Sequence, residues 1–170
     1  KKYFLSYDDS LSFTEHKIEL NLKDKKINIK GKGNFAINDK LDQIHYEISS
    51  NDKVYKYKTK INLNNTSFNV PVLNYFKDDK TNSSIIIDGS SDKKNNILIK
   101  KILFEENNNK LEIEDLHFNK FLKITNINLI DLNFVNKANK KNQLKLFKNK
   151  KNYTIESKVF DGTFLINEIL

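Results

Sequence analysis

The chain has 170 residues, a formal net charge of +8, 38% hydrophobic and 31% charged residues, and neither Cys, Met nor Trp. Without Cys, disulfides, thiolate metal sites and thiol nucleophiles are excluded, and no run of about 18 apolar residues is present to span a bilayer as a helix. The absence of Met leads us to expect an internal segment of a longer protein, and we treat residues 1–170 as one domain.

Every one of the 30 basic residues is Lys. Lys, Asn and Ile are over-used together while Arg is missing, which is the imprint of an AT-rich genome rather than of a phosphate-reading surface. A protein that reads phosphates or guanines draws on the bidentate fork of Arg. The positive charge is therefore a poor argument for nucleic-acid binding.

Period-two alternation runs along the chain. "HKIELNLK" (16–23) sets Ile18, Leu20 and Leu22 on one face. "KKINIKGKGNFAIN" (25–38) continues with Ile27, Ile29, Gly31, Gly33, Phe35 and Ile37, "QIHYEIS" (43–49) with Ile44, Tyr46 and Ile48, and "VYKYKTKINL" (54–63) with Tyr55, Tyr57, Thr59, Ile61 and Leu63. Farther on stand the pairs Ile85 and Ile87, Ile97 and Ile99, Leu111 and Ile113, Leu122 and Ile124, Leu144 and Leu146, and Tyr153 and Ile155. Apolar residues alternating with Lys, Asn and Glu predict strands wetted on one face.

Short polar stretches such as "KDKK" (23–26), "SNDK" (50–53), "SSDKKNN" (90–96) and "EENNNK" (105–110) supply the turns, because Asn, Asp and Ser bond the local backbone and tolerate left-handed conformations. About a dozen strands joined by such turns predict an all-β antiparallel meander. "NVPVLNYF" (69–76) holds the one Pro of the chain, and predicts a sheet edge or a crossing segment. At the C-terminus "YTIESKVFDGTFLINEIL" (153–170) abandons the period. Asp161 is placed to cap the amide of Thr163 or Phe164, and Phe164, Leu165, Ile166, Ile169 and Leu170 would form the apolar side of a short closing helix.

Signals for chemistry are weak. His16, His45 and His117 lie on separate strands without metal-ligand spacing, so no metal and no cofactor is expected. The paired acids at 8–9, 78–79 and 105–106 fall in expected turns and point to opposite sides of a strand, which makes no acid–base dyad. "GKG" (31–33) is followed by no helix and is no phosphate loop; its two glycines lie on the apolar face, where they permit a bend, a bulge or the close approach of another group. In "KVYKYKTK" (53–60) the Tyr residues face one way and the Lys residues the other, so bases stacked on Tyr55 and Tyr57 would leave their phosphates on the wrong side for the lysines. No catalytic residues are expected.

The stretch "VPVLNYFKDDKTNSSIIIDGSSDKKNNILIKKILFEENNNKLEIEDLHFN" (70–119), followed by the ending at 153–170, resembles the AsmA-like superfamily, the TamB- and YhdP-type bridge-like lipid-transfer proteins, in their C-terminal repeat region. The likeness spans about residues 68–170; residues 1–67 continue the same meander. It departs from the family pattern at 157–160, where Ser-Lys-Val-Phe stands in place of a Gly shortly before the apolar–Asp pair. The resemblance implies an open, twisted, U-shaped β-groove closed by a short C-terminal helix, with no catalytic residues. It further implies phospholipid acyl chains as cargo, moved between inner and outer membrane, adjacent repeats of the same chain as neighbours, and a periplasmic location with an inner-membrane anchor outside this segment. On this reading the lining is Ile18, Leu20, Ile27, Ile29, Phe35, Ile44, Tyr46, Tyr55, Tyr57, Ile61, Ile85, Ile87, Ile97, Ile99, Leu111, Ile113, Leu122 and Ile124, and the closing helix is built from Asp161, Phe164, Leu165 and Ile169. The rival readings are a closed β-sandwich that serves structure or interaction, and a basic nucleic-acid-binding β-domain.

Overall fold

A computed structural model describes residues 11–24, 26–37, 39–51, 53–163 and 166. The fold is all-β. Ten strands follow one another across a single antiparallel sheet: β1 (Leu11–Lys23), β2 (Lys26–Ile37), β3 (Lys40–Ser50), β4 (Val54–Asn62), β7 (Ser83–Asp92), β8 (Ile97–Glu106), β9 (Asn109–Phe118), β11 (Leu129–Val135), β12 (Lys141–Asn149) and β13 (Asn152–Val159). A short β10 (Ile124–Asn126) adds to β9 beside the start of β11. The sheet is a meander with β1 and β13 at its two ends, and it does not close into a barrel.

The hairpin turns use left-handed residues at Asp24, Asn95, Asn107, Asn139 and Lys150. Four of these five are Asn or Asp, which reach that conformation at the least cost among residues with a side chain. Asp92 and Asn136 tighten two of the turns further by accepting backbone amides from Lys94 and Asn96, and from Ala138 and Lys140.

Between β4 and β7 the chain leaves the sheet. Residues 63–82 carry β5 (Phe68–Val70), a 3-10 turn at Pro71–Leu73 and β6 (Tyr75–Lys77), paired as a small two-stranded sheet. Pro71 supplies the fixed φ that opens the turn, and Asn74 closes it at φ 49°. The segment with the one Pro is thus a crossing hairpin. It folds back over one end of the large sheet, where Tyr75, Phe104, Leu132 and Phe134 form the buried core. Phe68, Val70, Leu73, Ile85 and Leu111 pack around them, and Tyr75 meets Phe68, Phe104 and Phe134 in edge or tilted ring contacts.

Cross-strand register sorts the side chains into rows running across the sheet, since directly opposed residues share a face. One row is Ile44, Ile61, Ile85, Phe104, Leu111, Leu132 and Leu144. The next is Ile18, Gly31, Tyr46, Thr59, Ile87, Ile102, Ile113, Ile130, Leu146 and Ile155. Beyond them come Leu20, Ile29, Ile48, Tyr57, Gly89, Ile99 and Leu116, then Leu22, Ile27, Ser50, Tyr55, Ser91, Ile97, Phe118 and Ile124.

The rows stay on one face because three strands each carry an extra residue. In β1 the register slips between Thr14 and Lys17, with Glu15 at φ 50°; in β9 Asp115 takes φ 50°, opposite the slip at Lys100 of β8. Each such bulge reverses the parity of its strand. That is how Phe13 and Ile18, or Ile113 and Leu116, come to face the same way.

Candidate functional site

The expected lining residues all stand on this one face, with a single correction. Leu122 is in the tight turn after β9, at φ 58° with its amide bonded to the Asn119 carbonyl at 2.9 Å. The Asn119 side chain accepts the amides of Phe121 and Lys123 and holds the turn. A residue in that conformation has left the strand, so Leu122 joins no row. Ile124, two residues on, pairs with Phe118 and does.

Coverage of the face is uneven. At the end under the β5–β6 hairpin Phe134 keeps only 4% of its surface, whereas Ile18 keeps 59%, Leu22 66% and Ile155 64%. Strands β1 and β13, with Ile27 of β2, therefore present apolar side chains to solvent, and among the described residues no second large sheet lies over them. Exposed apolar residues contiguous across several strands exceed the scattered ones found on ordinary surfaces.

On that face the two glycines of "GKG" admit close neighbours. A Cβ on Gly31 would lie 2.1 Å from Cζ of Tyr46, and one on Gly33 would lie 2.4 Å from Nδ1 of His16. The approach allowed by these glycines is thus made by rings from the adjoining strands. His16 stacks on Tyr46 with centroids 5.6 Å apart, and its Nε2 lies 3.2 Å from the Tyr46 hydroxyl. This arrangement smooths the floor of the sheet with aromatic surface. Tyr57, in the row beyond, has its phenol pushed up by burial and then by the charge of Asp88.

The hairpin is clamped by a buried polar hub at the outer end of the face. Glu106 accepts hydrogen bonds from the Tyr75 hydroxyl, from Thr81 Oγ1 at 2.6 Å and from Asn109 Nδ2 at 2.8 Å. Burial pushes its carboxyl up, but the three donors and the charge of Lys77 outweigh that and hold it below the usual carboxylate range. The phenol of Tyr75 is raised far in turn, by burial first and then by its bond to Glu106. Lys77 is fully buried and gives hydrogen bonds to the carbonyls of Asp78 at 2.8 Å and Asn64 at 3.4 Å. Burial lowers its ammonium, and the charges of Asp42 and Glu106 oppose that shift. Asp42 ties down the start of the hairpin segment by accepting the amides of Asn64, Asn65 and Thr66 at 2.8, 2.9 and 3.0 Å. The Lys137 amide, donating to the Asn74 carbonyl at 2.8 Å, fixes the far tip.

Between hairpin and sheet lies an apolar cleft of about 170 Å³, lined mainly by Phe68, Val70, Leu73, Tyr75, Ile85, Ile102, Phe104, Leu111, Leu132 and Phe134. Most of these were not singled out from the sequence. "NLIDLNFV" (128–135) does carry the signal, since Ile130, Leu132 and Phe134 alternate there; nothing local could show that Phe68 and Tyr75 return to cover them.

Across β1–β4 the opposite face is mainly polar. Lys17, Lys30, Lys32, His45, Lys58 and Lys60 surround a shallow depression with Glu19 and Glu47, where Lys17 pairs with Glu19 and Lys30 with Glu47, each at 3.2 Å. Tyr57 pairs across to Ile48 and Gly89, while Lys58 pairs with Glu47 and Asp88, so the rings and the lysines of this strand are separated by the sheet. His117 faces Leu98 across β8 and β9, far along the chain from His16 and His45. Among the described residues no three His, Asp or Glu side chains gather as metal ligands, and no helix is long and apolar enough to cross a membrane.

At the C-terminus Asp161 Oδ1 accepts the Thr163 amide at 3.3 Å and the Thr163 hydroxyl at 2.7 Å, as expected of a cap. Its Oδ2 meets Lys140 Nζ at 3.0 Å and Asn136 Nδ2 at 3.4 Å. The bonds from Thr163 and Lys140 hold the carboxyl down at about 2. Phe164, Leu165 and Ile169 of the expected closing helix lie outside the described residues.

No protein-family model matches the chain, and comparison with characterised proteins and with solved structures likewise returns no match.

Proposed function

We propose that this chain is a non-enzymatic β-groove segment whose apolar face carries the acyl chains of phospholipids, in the manner of the AsmA-like proteins it resembles. The observation that supports the reading best is the run of rows from Ile18 and Leu20 through Tyr46, Tyr57 and Ile87 to Ile113 and Ile155, apolar on one side of the sheet and left uncovered at its edges. Hydrocarbon needs no directed hydrogen bonds. It needs a continuous apolar surface, which stabilises a chain by at most ~0.8 kcal/mol for each fully buried methylene. Head groups stay in water at the rims, where Lys residues attract anionic lipid. Adjacent repeats of the parent protein would extend the track from the inner to the outer membrane across the periplasm.

Equilibrium binding of a fluorescent fatty acid and of a single-stranded oligonucleotide, each at low and high salt, tests this against the nucleic-acid reading. Fatty-acid binding that changes little with salt supports the proposal, since few phosphate contacts are released. Oligonucleotide binding that collapses with salt, with no fatty-acid binding, contradicts it.

A further inference from the structure

The cleft under the β5–β6 hairpin has properties that the open face lacks. Every donor near its inner end is already engaged: the Tyr75 hydroxyl, Thr81 Oγ1 and Asn109 Nδ2 are all directed at Glu106. Of the two polar residues in the lining, Asn109 is bound to Glu106 and to the Val135 amide and Lys110 is paired with Glu112 at 2.7 Å, so a polar group placed against the apolar lining would lose its water without compensation. The cleft is about 170 Å³. Apolar cavities of roughly 150 Å³ stay dry and accept a molecule of benzene's size, so this one holds the last few carbons of a single alkyl chain and not a whole lipid tail.

Its mouth opens onto the track. Ile102 lines the cleft, and its cross-strand partners are Ile87 on β7 and Ile113 on β9, both members of the row beyond the hairpin's cover. An alkyl chain lying along the strands, across the rows and toward the hairpin, therefore meets the cleft end-on. The far side is shut by the Glu106 hub and by the fully buried Lys77. Open track, mouth and closed end follow one another along the same strands.

We infer that this cleft is a terminal site for the methyl end of one acyl chain, with the 63–82 hairpin acting as a stop at one end of the strands, beside rows that run on to β13. The inference rests on the lipid reading of the open face and adds to it a fixed polarity: tails point toward β5–β6, head groups away from it. A chain that enters gains burial on all sides over its last carbons, whereas on the open face it is covered on one side only. The stop thus holds cargo in register before it passes to a neighbouring surface.

The test uses two photoreactive palmitates, one with its diazirine beside the methyl end and one with it beside the carboxylate, bound to the protein and mapped by mass spectrometry. The methyl-end probe should label Phe68, Leu73 or Phe104, and the carboxylate-end probe should label the open rows near Tyr57 and Ile99. Val70→Phe, which fills the cleft, should lower methyl-end labelling of the cleft about tenfold, equal to ~1.4 kcal/mol of binding, while labelling of the open rows persists. Leu73→Phe provides a second filling variant, should Val70→Phe unfold by its denaturation curve. Labelling of the open rows by both probes, with none in the cleft, overturns the terminal site but leaves the acyl track standing. No labelling of the apolar face by either probe removes both.

Discussion

Tyr46 lies across Gly31 so closely that a Cβ at position 31 would come within 2.1 Å of its ring. The position excludes side chains because of its neighbour, not because of its own backbone. Gly31→Ala should therefore destabilise the fold by about 1–3 kcal/mol, the range for overpacking, and Tyr46→Ala introduced with it should recover part of that loss. Chemical denaturation of the two single variants and the double variant measures this coupling, and simple additivity would show that the ring is not the obstacle.

The uneven cover of the apolar face makes a second contrast. Phe134→Ala, beneath the hairpin, should cost about 3–5 kcal/mol as a core truncation. Leu22→Ser, at the open edge of β1, should fall within about 0.5 kcal/mol of the parent. Comparable losses from both, read from denaturant midpoints, would mean that something covers the edge.

Stability should also depend on Glu106. Its folded carboxyl lies below the ordinary value of 4.5, so the hub contributes stability that is fully present above that value and is lost as pH falls through the lower folded value. Glu106→Gln should flatten the acid limb of a pH–stability profile taken from neutrality downward. Tyr75→Phe, which leaves Glu106 one donor short, should cost about 1–3 kcal/mol at neutral pH. An unchanged acid limb in Glu106→Gln would assign the loss to other groups.

Asp161 predicts a local event at low pH. Its carboxyl is held at about 2 by Thr163 and Lys140 against an ordinary 3.8, so the contact that secures residues 161–163 persists above 3.8 and releases as pH falls through about 2. Amide exchange at Thr163 should speed up over that window, and Asp161→Asn should remove this pH dependence.

Much of this architecture was legible in the sequence because a strand wetted on one side writes its face into every second residue. Ile44, Tyr46 and Ile48, or Tyr55, Tyr57 and Ile61, needed no further information. The bulges at Glu15 and Asp115 were harder to see: an added residue of ordinary polarity reverses parity without composition changing. Leu122 misled for a related reason, since a turn held by Asn119 separates it from the alternation that Ile124 resumes. The cleft was beyond reach. Tyr75 meets Glu106 and Phe134 across 31 and 59 residues (106 − 75 and 134 − 75), contacts that only the fold-back of the hairpin creates.

The acyl track is tested most directly from two adjacent residues that the sheet separates. A photo-crosslinking amino acid placed at Tyr57, on the apolar face, and in a second strain at Lys58, on the polar face, should behave differently in intact cells. Lipid adducts at position 57 and none at position 58 are the predicted result. Protein adducts at both positions, or lipid captured equally from each side, would contradict an acyl-chain track on this face.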